Sequence, residues 1–129
     1  MSDNVNHPKH YTQCRATLEP IDVIRGCPFD LGNAIKYVCR AGHKDDELQD
    51  LLKAKRYIVW SAESYVFDPE PYEHFMKTKG LLMRKLTPFA NFYSFTAKGL
   101  IAELEQLIDS KIFEAKERIA KAEAGRENS

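Results

Sequence analysis

The clearest helical pattern in this chain lies in the segment Asp30-Leu31-Gly32-Asn33-Ala34-Ile35-Lys36-Tyr37-Val38-Cys39-Arg40-Ala41-Gly42-His43-Lys44. Its apolar residues recur at steps of three and four, which places them on one face of an α-helix. These residues are Leu31, Ala34, Ile35 and Val38. We expect Asp30 to cap the start of the helix and Gly42 to close its end in the left-handed conformation. The segment therefore predicts one short helix with a core-facing side.

The opposite face of this helix is polar and mostly basic. It carries Asn33, Lys36, Tyr37 and Arg40, and His43 and Lys44 follow the turn. An amide, a phenol and several cations on one face are suited to holding a phosphate together with the ring or ribose attached to it. The alternative is the ordinary solvated face of an amphipathic helix.

The composition indicates a small globular protein. Its 129 residues, 43% hydrophobic and 29% charged, suffice for one domain with appendages. The formal net charge of +0 argues against an extended nucleic-acid surface, which is usually strongly basic. No apolar run approaches the roughly 20 residues of a membrane span, and the N-terminus lacks a signal-peptide pattern, so we expect a cytoplasmic protein without a membrane partner. The three unpatterned cysteines predict free thiols.

Further helices are predicted around the first. Residues 1–18 lack a helical period and predict a loop-like arm, and residues 19–26 predict a short helix that stops at Gly26. A longer helix should begin at Asp45 or Asp46 and run to about Ser64. Its expected apolar side comprises Leu48, Leu51, Leu52, Ile58, Val59 and Ala62. Because the turn at residues 41–44 is short, this helix and the preceding one should form an antiparallel hairpin whose polar faces border one cleft.

The C-terminal half predicts more helix. Two prolines make residues 66–72 a linker, residues 72–87 are helical with an interruption at Gly80, and seven aromatic residues between Phe67 and Phe95 are expected to pack in a core or a subunit contact. Residues 96–124 predict the longest helix, and residues 125–129 a disordered tail. The apolar positions of the longest helix are Leu100, Ile101, Leu104, Leu107, Ile108, Ile112, Ala115, Ile119 and Ala122.

The predicted fold class is therefore all-α. An N-terminal arm and a helical-hairpin core fall within residues 1–65. A helical extension over residues 66–129 ends in a long amphipathic helix that packs on this core or on a partner subunit.

Several familiar kinds of site find little support. The chain has no G-x-x-x-x-G-K-[ST] phosphate loop. His7 and His10 with Cys39 and His43 have the ligand types of a zinc site but only generic spacing, so we predict no metal site. A magnesium-dependent pyrophosphohydrolase needs clustered carboxylates, and Glu114-x2-Glu117 is a lone pair. None of the cysteines has a neighbour diagnostic of a nucleophile.

A set of mostly basic and ring-bearing residues remains as the candidate site. It comprises His7, Lys9, His10, Tyr11, Asn33, Lys36, Tyr37, Arg40, Lys44, Asp50 and Lys53, and Tyr57 follows on the same helix face as the last two. Because cations outnumber carboxylates, the set suits an anionic small molecule better than a metal. In phosphoryl transfer, the cations would neutralise charge on the transferred group, and His10 or Asp50 would orient or deprotonate the acceptor. Simple binding needs only that they hold the phosphate.

Four motifs occur in order over roughly residues 5 to 60. They are His7-Pro8-Lys9-His10-Tyr11, Glu19-x-Ile21-Asp22-Val23-Ile24, Gly32-Asn33-Ala34-Ile35-Lys36-Tyr37-x-x-Arg40-Ala41-Gly42-x-Lys44 and Asp50-Leu51-x-Lys53-Ala54-x-x-Tyr57. Together they resemble the phage family DUF3310, a domain whose signature also forms the C-terminal part of the phage T7 nucleotide kinase, which phosphorylates deoxynucleoside monophosphates without a phosphate loop. The resemblance implies a bacteriophage protein that binds or acts on nucleotides in the cytoplasm of the infected host.

Three hypotheses follow. The first is phosphorylation of nucleoside monophosphates, with ATP or another nucleoside triphosphate as donor, Lys36, Arg40 and Lys53 as phosphate-holding cations and His10 or Asp50 as proton acceptor; the need for magnesium stays open. The second is a non-catalytic phage protein that sequesters a nucleotide or a nucleotide-derived host defence signal. The third is an interaction module whose long C-terminal helix is the working surface. In each case we expect a homo-oligomer.

Overall fold

Helices make up the regular structure of the described residues. The computed structural model describes residues 18–43 and 46–128, and over these ranges it contains α-helix and no strand. The helices are α1 (Pro20–Ile24), α2 (Phe29–Arg40), α3 (Glu47–Phe67), α4 (Glu70–Met83) and α5 (Ala97–Asn128). The predicted all-α class is confirmed. Within the described ranges, none of the helices combines the length and apolarity needed to cross a membrane.

Helices α2 and α3 form the predicted antiparallel hairpin. At one end, Ser64 Oγ donates to Asp30 Oδ2 over 3.2 Å, and at the other Arg40 Nε lies 3.4 Å from Asp50 Oδ2. The turn between them includes Gly42 at φ +86°, the left-handed conformation expected of it. The predicted apolar face of α2 is buried, with Leu31, Ala34, Ile35 and Val38 at most 3% exposed.

Two of the predicted helix starts meet different outcomes. Helix α2 begins at Phe29, with Pro28 in the capping position, so the expected cap by Asp30 is wrong. The Asp30 carboxylate instead accepts the bond from Ser64 and ties α2 to α3. The predicted start of α3 is confirmed, because Asp46 precedes the helix and its Oδ1 accepts from the Gln49 amide over 3.1 Å.

The expected proline-rich linker is much shorter than predicted. Helix α3 continues to Phe67 and α4 begins at Glu70, which leaves only residues 68 and 69 between them. Pro71 lies in the first turn of α4, where its missing N–H has no intrahelical partner to lose. Gly80 lies inside α4, so the expected interruption there is wrong as well.

The long C-terminal helix is confirmed and packs along α3. Lys55 of α3 bonds Glu105 and Asp109 of α5 over 2.9 and 2.8 Å. Near the start of α3, Glu47 pairs with Arg118 over 2.7 Å, so the two helices run antiparallel. Helix α5 extends to Asn128, and the expected disorder of residues 125–128 is wrong.

Exposure separates the correct core assignments from the incorrect ones. On α5, Leu100, Ile101, Leu104, Ile108 and Ala115 are buried, whereas Ile119 and Ala122 are exposed. On α3, Leu51 and Ile58 are buried, but Leu52 and Val59, which were expected in the core, are 47% and 36% exposed.

The seven aromatic residues of the middle segment divide in the same way. Tyr72, Phe75, Phe89 and Phe92 pack in the core, and Phe67, Tyr93 and Phe95 are exposed. The packing interpretation is therefore confirmed for four of the seven.

Candidate functional site

A pocket of about 330 Å³ lies at the C-terminal end of α2. Its walls are formed by Pro20, Lys36, Cys39, Arg40 and His43. The positions 36, 39, 40 and 43 follow helical spacing, so one face of α2 and the turn after it present the side chains together. The His43 amide donates to the Arg40 carbonyl over 3.0 Å, which holds the turn against the helix end.

Helix α1 supplies the remaining wall because it packs closely on α2. A Cβ added to the buried Gly32 would lie 3.3 Å from Ile24 Cγ2, so glycine at position 32 allows the close approach. Val23, the buried residue of α1, is completely enclosed. This packing brings Pro20, at the start of α1, beside the basic face of α2.

Arg40 connects the pocket to the interior of the hairpin. Its Nε lies 3.4 Å from Oδ2 of Asp50, and the side chains of Arg40 and Asp50 are 35% and 4% exposed. The carboxylate is thus buried behind the guanidinium, and among the described residues it is not part of the pocket wall. In this geometry Asp50 is placed to orient Arg40.

A tyrosine pair borders the same region. The rings of Tyr37 and Tyr57 stack with centroids 6.0 Å apart and an angle of 7° between their planes. Lys36 Nζ lies 4.8 Å from the Tyr37 centroid and Lys53 Nζ lies 5.4 Å from it. These distances make the predicted residues Lys36, Tyr37, Lys53 and Tyr57 neighbours. Lys36 also lines the pocket, so the tyrosine pair lies next to the pocket wall.

Asn33 is the one residue described among the remaining members of the predicted set. Asn33 Nδ2 donates to the Phe29 carbonyl within α2 over 2.9 Å, and Asn33 does not line the pocket. His7, Lys9, His10, Tyr11 and Lys44 lie outside the described residues.

The described cysteines are protonated at neutral pH. Burial raises the pKa of the Cys39 thiol to about 11, against a smaller opposing effect of Lys111. Burial likewise raises the pKa of the Cys27 thiol to about 12, with a smaller opposing effect of Lys79. A thiol in this state is a weak nucleophile. Over the described part of the chain, no three His, Cys, Asp or Glu side chains are grouped so as to hold a metal ion.

Sequence reasoning missed two aromatic residues next to the tyrosine pair. Phe29 lies 6.0 Å and Trp60 5.5 Å from Tyr57, measured between ring centroids. Trp60 follows Lys53 and Tyr57 at seven and three residues, so the helical spacing of α3 would have placed it on the same face.

Comparison with known proteins gives one result that covers the pocket. Residues 5–59 match the family described as a protein of unknown function, DUF3310. This range includes α1, α2 and most of α3, and it ends just before Trp60. No curated protein and no solved structure matches the chain.

Proposed function

For this chain, which belongs to the DUF3310 family through residues 5–59, we propose that the pocket at the end of α2 binds a nucleotide by its phosphate. The main support is the convergence of Lys36, Arg40 and His43 on one concavity. The chain as a whole has a formal net charge of +0, so this concentration of basic side chains is local. A compact basic pocket suits a small anion better than an extended polyanion.

The two strong cations have complementary roles in this proposal. Arg40 is braced from behind by Asp50 and presents a planar set of donors, which suits bidentate contact with phosphate oxygens. Lys36 is exposed and carries its ammonium on a long side chain, so it can contact a second phosphate oxygen as a point charge. His43 adds a donor at the rim.

A nucleotide is favoured over other phosphorylated metabolites for two reasons. The tyrosine pair Tyr37 and Tyr57 lies directly beside Lys36, where the organic part of the ligand would extend. The four sequence motifs also resemble those of a nucleotide kinase. We place the protein in the cytoplasm of a phage-infected bacterium on that same resemblance.

Binding without chemistry fits the described residues better than phosphoryl transfer. The kinase hypothesis gives His10 or Asp50 the role of orienting or deprotonating the acceptor, and of these two residues the structure describes Asp50. Asp50 is 3% exposed, paired with Arg40 and absent from the pocket wall, so it suits positioning rather than proton transfer. We therefore propose sequestration of a nucleotide as the function, with monophosphate kinase activity as the alternative that the resemblance supports.

Thermal unfolding with a panel of nucleoside and deoxynucleoside monophosphates tests the proposal. At a ligand concentration of about 100 Kd, binding adds about 2.7 kcal/mol, which raises the Tm by about 10 °C for a chain of this size. The shift should be lost in Lys36→Ala and Arg40→Ala and kept in Lys116→Ala, a matched control on the exposed part of α5. A panel that shifts no Tm, or shifts the pocket variants as much as the wild type, would refute nucleotide binding at this pocket.

A second measurement separates the binder from the kinase. The wild type is incubated with ATP, magnesium and the monophosphate that gives the largest Tm shift, and the products are resolved by ion-exchange chromatography. Sequestration predicts a Tm shift with no diphosphate formed at high protein concentration. Diphosphate formation that disappears in Arg40→Ala would establish the kinase instead.

A further inference from the structure

Four aromatic rings form one connected group on the α2–α3 hairpin. We call this group the aromatic cluster: Phe29, Tyr37, Tyr57 and Trp60. Tyr57 is its centre, with Tyr37 stacked on it at 7° and the rings of Phe29 and Trp60 set against it at 76° and 84°. The centroid distances from Tyr57 are 6.0 Å to Phe29, 6.0 Å to Tyr37 and 5.5 Å to Trp60.

The outer rings of the aromatic cluster are open to solvent. Phe29 is 73% exposed and Trp60 is 44% exposed. Four aromatic side chains between Phe67 and Phe95 are buried, which shows that this fold encloses large rings elsewhere. Large rings left uncovered and grouped together are typical of a surface that contacts another molecule.

Lys36 connects the aromatic cluster to the phosphate pocket, and Lys53 lies beside the same ring. Lys36 Nζ and Lys53 Nζ lie 4.8 and 5.4 Å from the Tyr37 centroid. Lys36 is also part of the pocket wall, together with Arg40. A ligand whose phosphate contacts Lys36 and Arg40 therefore lies beside Tyr37, and Tyr57 connects Tyr37 to the two outer rings.

From this arrangement we propose that the aromatic cluster is a stacking surface for the nucleobase of the ligand whose phosphate occupies the pocket. The inference rests on the proposed function and adds the part of the site that distinguishes a nucleotide from a sugar phosphate. Bases stack on exposed aromatic rings without requiring a specific hydrogen-bond pattern. The flanking lysines favour an electron-rich, anionic ligand over a neutral apolar one.

Trp60 makes the inference directly measurable because it is the only tryptophan of the chain. Its fluorescence is recorded while the protein is titrated with each of the four deoxynucleoside monophosphates and, separately, with deoxyribose 5-phosphate. We expect saturable quenching by a nucleotide, because a base lying on the cluster contacts the indole. The sugar phosphate should bind, as judged by calorimetry, without quenching.

Variants then assign the effect to the cluster. Phe29→Ala removes a largely exposed ring and should weaken nucleotide binding about tenfold while leaving the Kd for deoxyribose 5-phosphate unchanged. Phe95→Ala is the matched control, since Phe95 is 82% exposed in another part of the surface, and it should change neither Kd. A 5′-phosphorylated dinucleotide that binds more tightly than the mononucleotide would assign part of the cluster to a second stacked base.

The outcomes distinguish failure of the inference from failure of the proposed function. If nucleotides and deoxyribose 5-phosphate bind equally well, Trp60 emission stays constant and Phe29→Ala has no effect, the stacking surface is refuted while phosphate binding stands. If no phosphorylated compound binds, both are refuted. Emission that changes with protein concentration and not with nucleotide would make the cluster a contact between subunits and overturn the inference.

Discussion

The ion pair between Arg40 and Asp50 should contribute measurably to stability, because one of its partners is buried. The separation of 3.4 Å corresponds to about 5 kcal/mol of Coulomb energy at an effective dielectric constant of about 20. Desolvation of the 4% exposed carboxylate and solvent access to the 35% exposed guanidinium reduce this value. We expect a net coupling free energy of about 1–3 kcal/mol.

A double-mutant cycle with Arg40→Met and Asp50→Asn measures this coupling by urea unfolding at pH 7. The cycle is needed because it subtracts whatever else each side chain contacts. Arg40→Met should be the costlier single change, about 3 kcal/mol, since it leaves a buried carboxylate without this cation. Asp50→Asn leaves Arg40 able to reach water and should cost about 1–2 kcal/mol.

The exposed pair of Lys55 and Asp109 is the matched control. Its N–O distance of 2.8 Å is shorter, but its side chains are 32% and 54% exposed. Solvent screening should limit this coupling to at most about 1 kcal/mol. If the pair at Asp50 couples no more strongly than this control, burial does not strengthen it and the reasoning is wrong.

Three further predictions concern the core, a thiol and two glycines. Ile35→Ala should lower the free energy of unfolding by about 2–5 kcal/mol, against at most about 0.5 kcal/mol for Val66→Ala, which is 79% exposed; similar urea midpoints would contradict the assigned core. Burial raises the Cys39 pKa to about 11, so iodoacetamide at pH 8 should modify the native thiol far more slowly than the unfolded one, with the other two thiols replaced by serine. Because the folded-state pKa is the higher one, this thiol's contribution to stability is complete below about pH 8.5 and should be lost as the pH approaches about 11 in urea unfolding. Gly42→Ala should lower the free energy of unfolding by about 1 kcal/mol because φ is +86° at this position. Gly125→Ala, inside α5, should raise the free energy of unfolding by at most about 1 kcal/mol. Equal effects of the two substitutions in thermal unfolding would contradict both backbone assignments.

Hydrophobic periodicity predicts α2 well because one face of that helix packs in the core. Leu31, Ala34, Ile35 and Val38 are all buried, and the hairpin follows from the short turn that Gly42 permits. The same reasoning does worse on α3, which packs against α2 on one side and α5 on another. Its buried positions include the polar residues Asp50 and Ser61, which a hydrophobic pattern does not select.

The two buried polar residues of α3 have different kinds of partner. Asp50 faces Arg40 from α2, and Ser61 Oγ donates to the Tyr57 carbonyl over 3.0 Å within its own helix. Conversely, Leu52 and Val59 remain exposed because no described element covers their side of α3. Which side chains of α3 are buried therefore depends on which helices pack against it, and the residue pattern of α3 alone does not contain this information.

Helical spacing predicts part of the candidate site, and the packing of separate helices determines the rest. Lys36 and Arg40 could be predicted to share a pocket because they are one helical turn apart. Pro20 could not, since its position depends on the close packing of α1 over Gly32. The spacing of Trp60 from Tyr57 matches the helix, but an indole lacks the charged or polar groups that mark a phosphate site in a sequence.

The two pocket cations connect to the fold differently, and this difference separates binding from stability. Lys36 is exposed, so replacing it should change ligand affinity with little effect on unfolding. Arg40 both lines the pocket and pairs with buried Asp50, so replacing it should change both quantities. Asp50 is placed to hold the Arg40 guanidinium in the orientation that the ligand contacts, so ligand binding and the Arg40–Asp50 pair should support each other. Stabilisation by ligand should consequently be smaller in Asp50→Asn than in the wild type, even though Asp50 does not line the pocket.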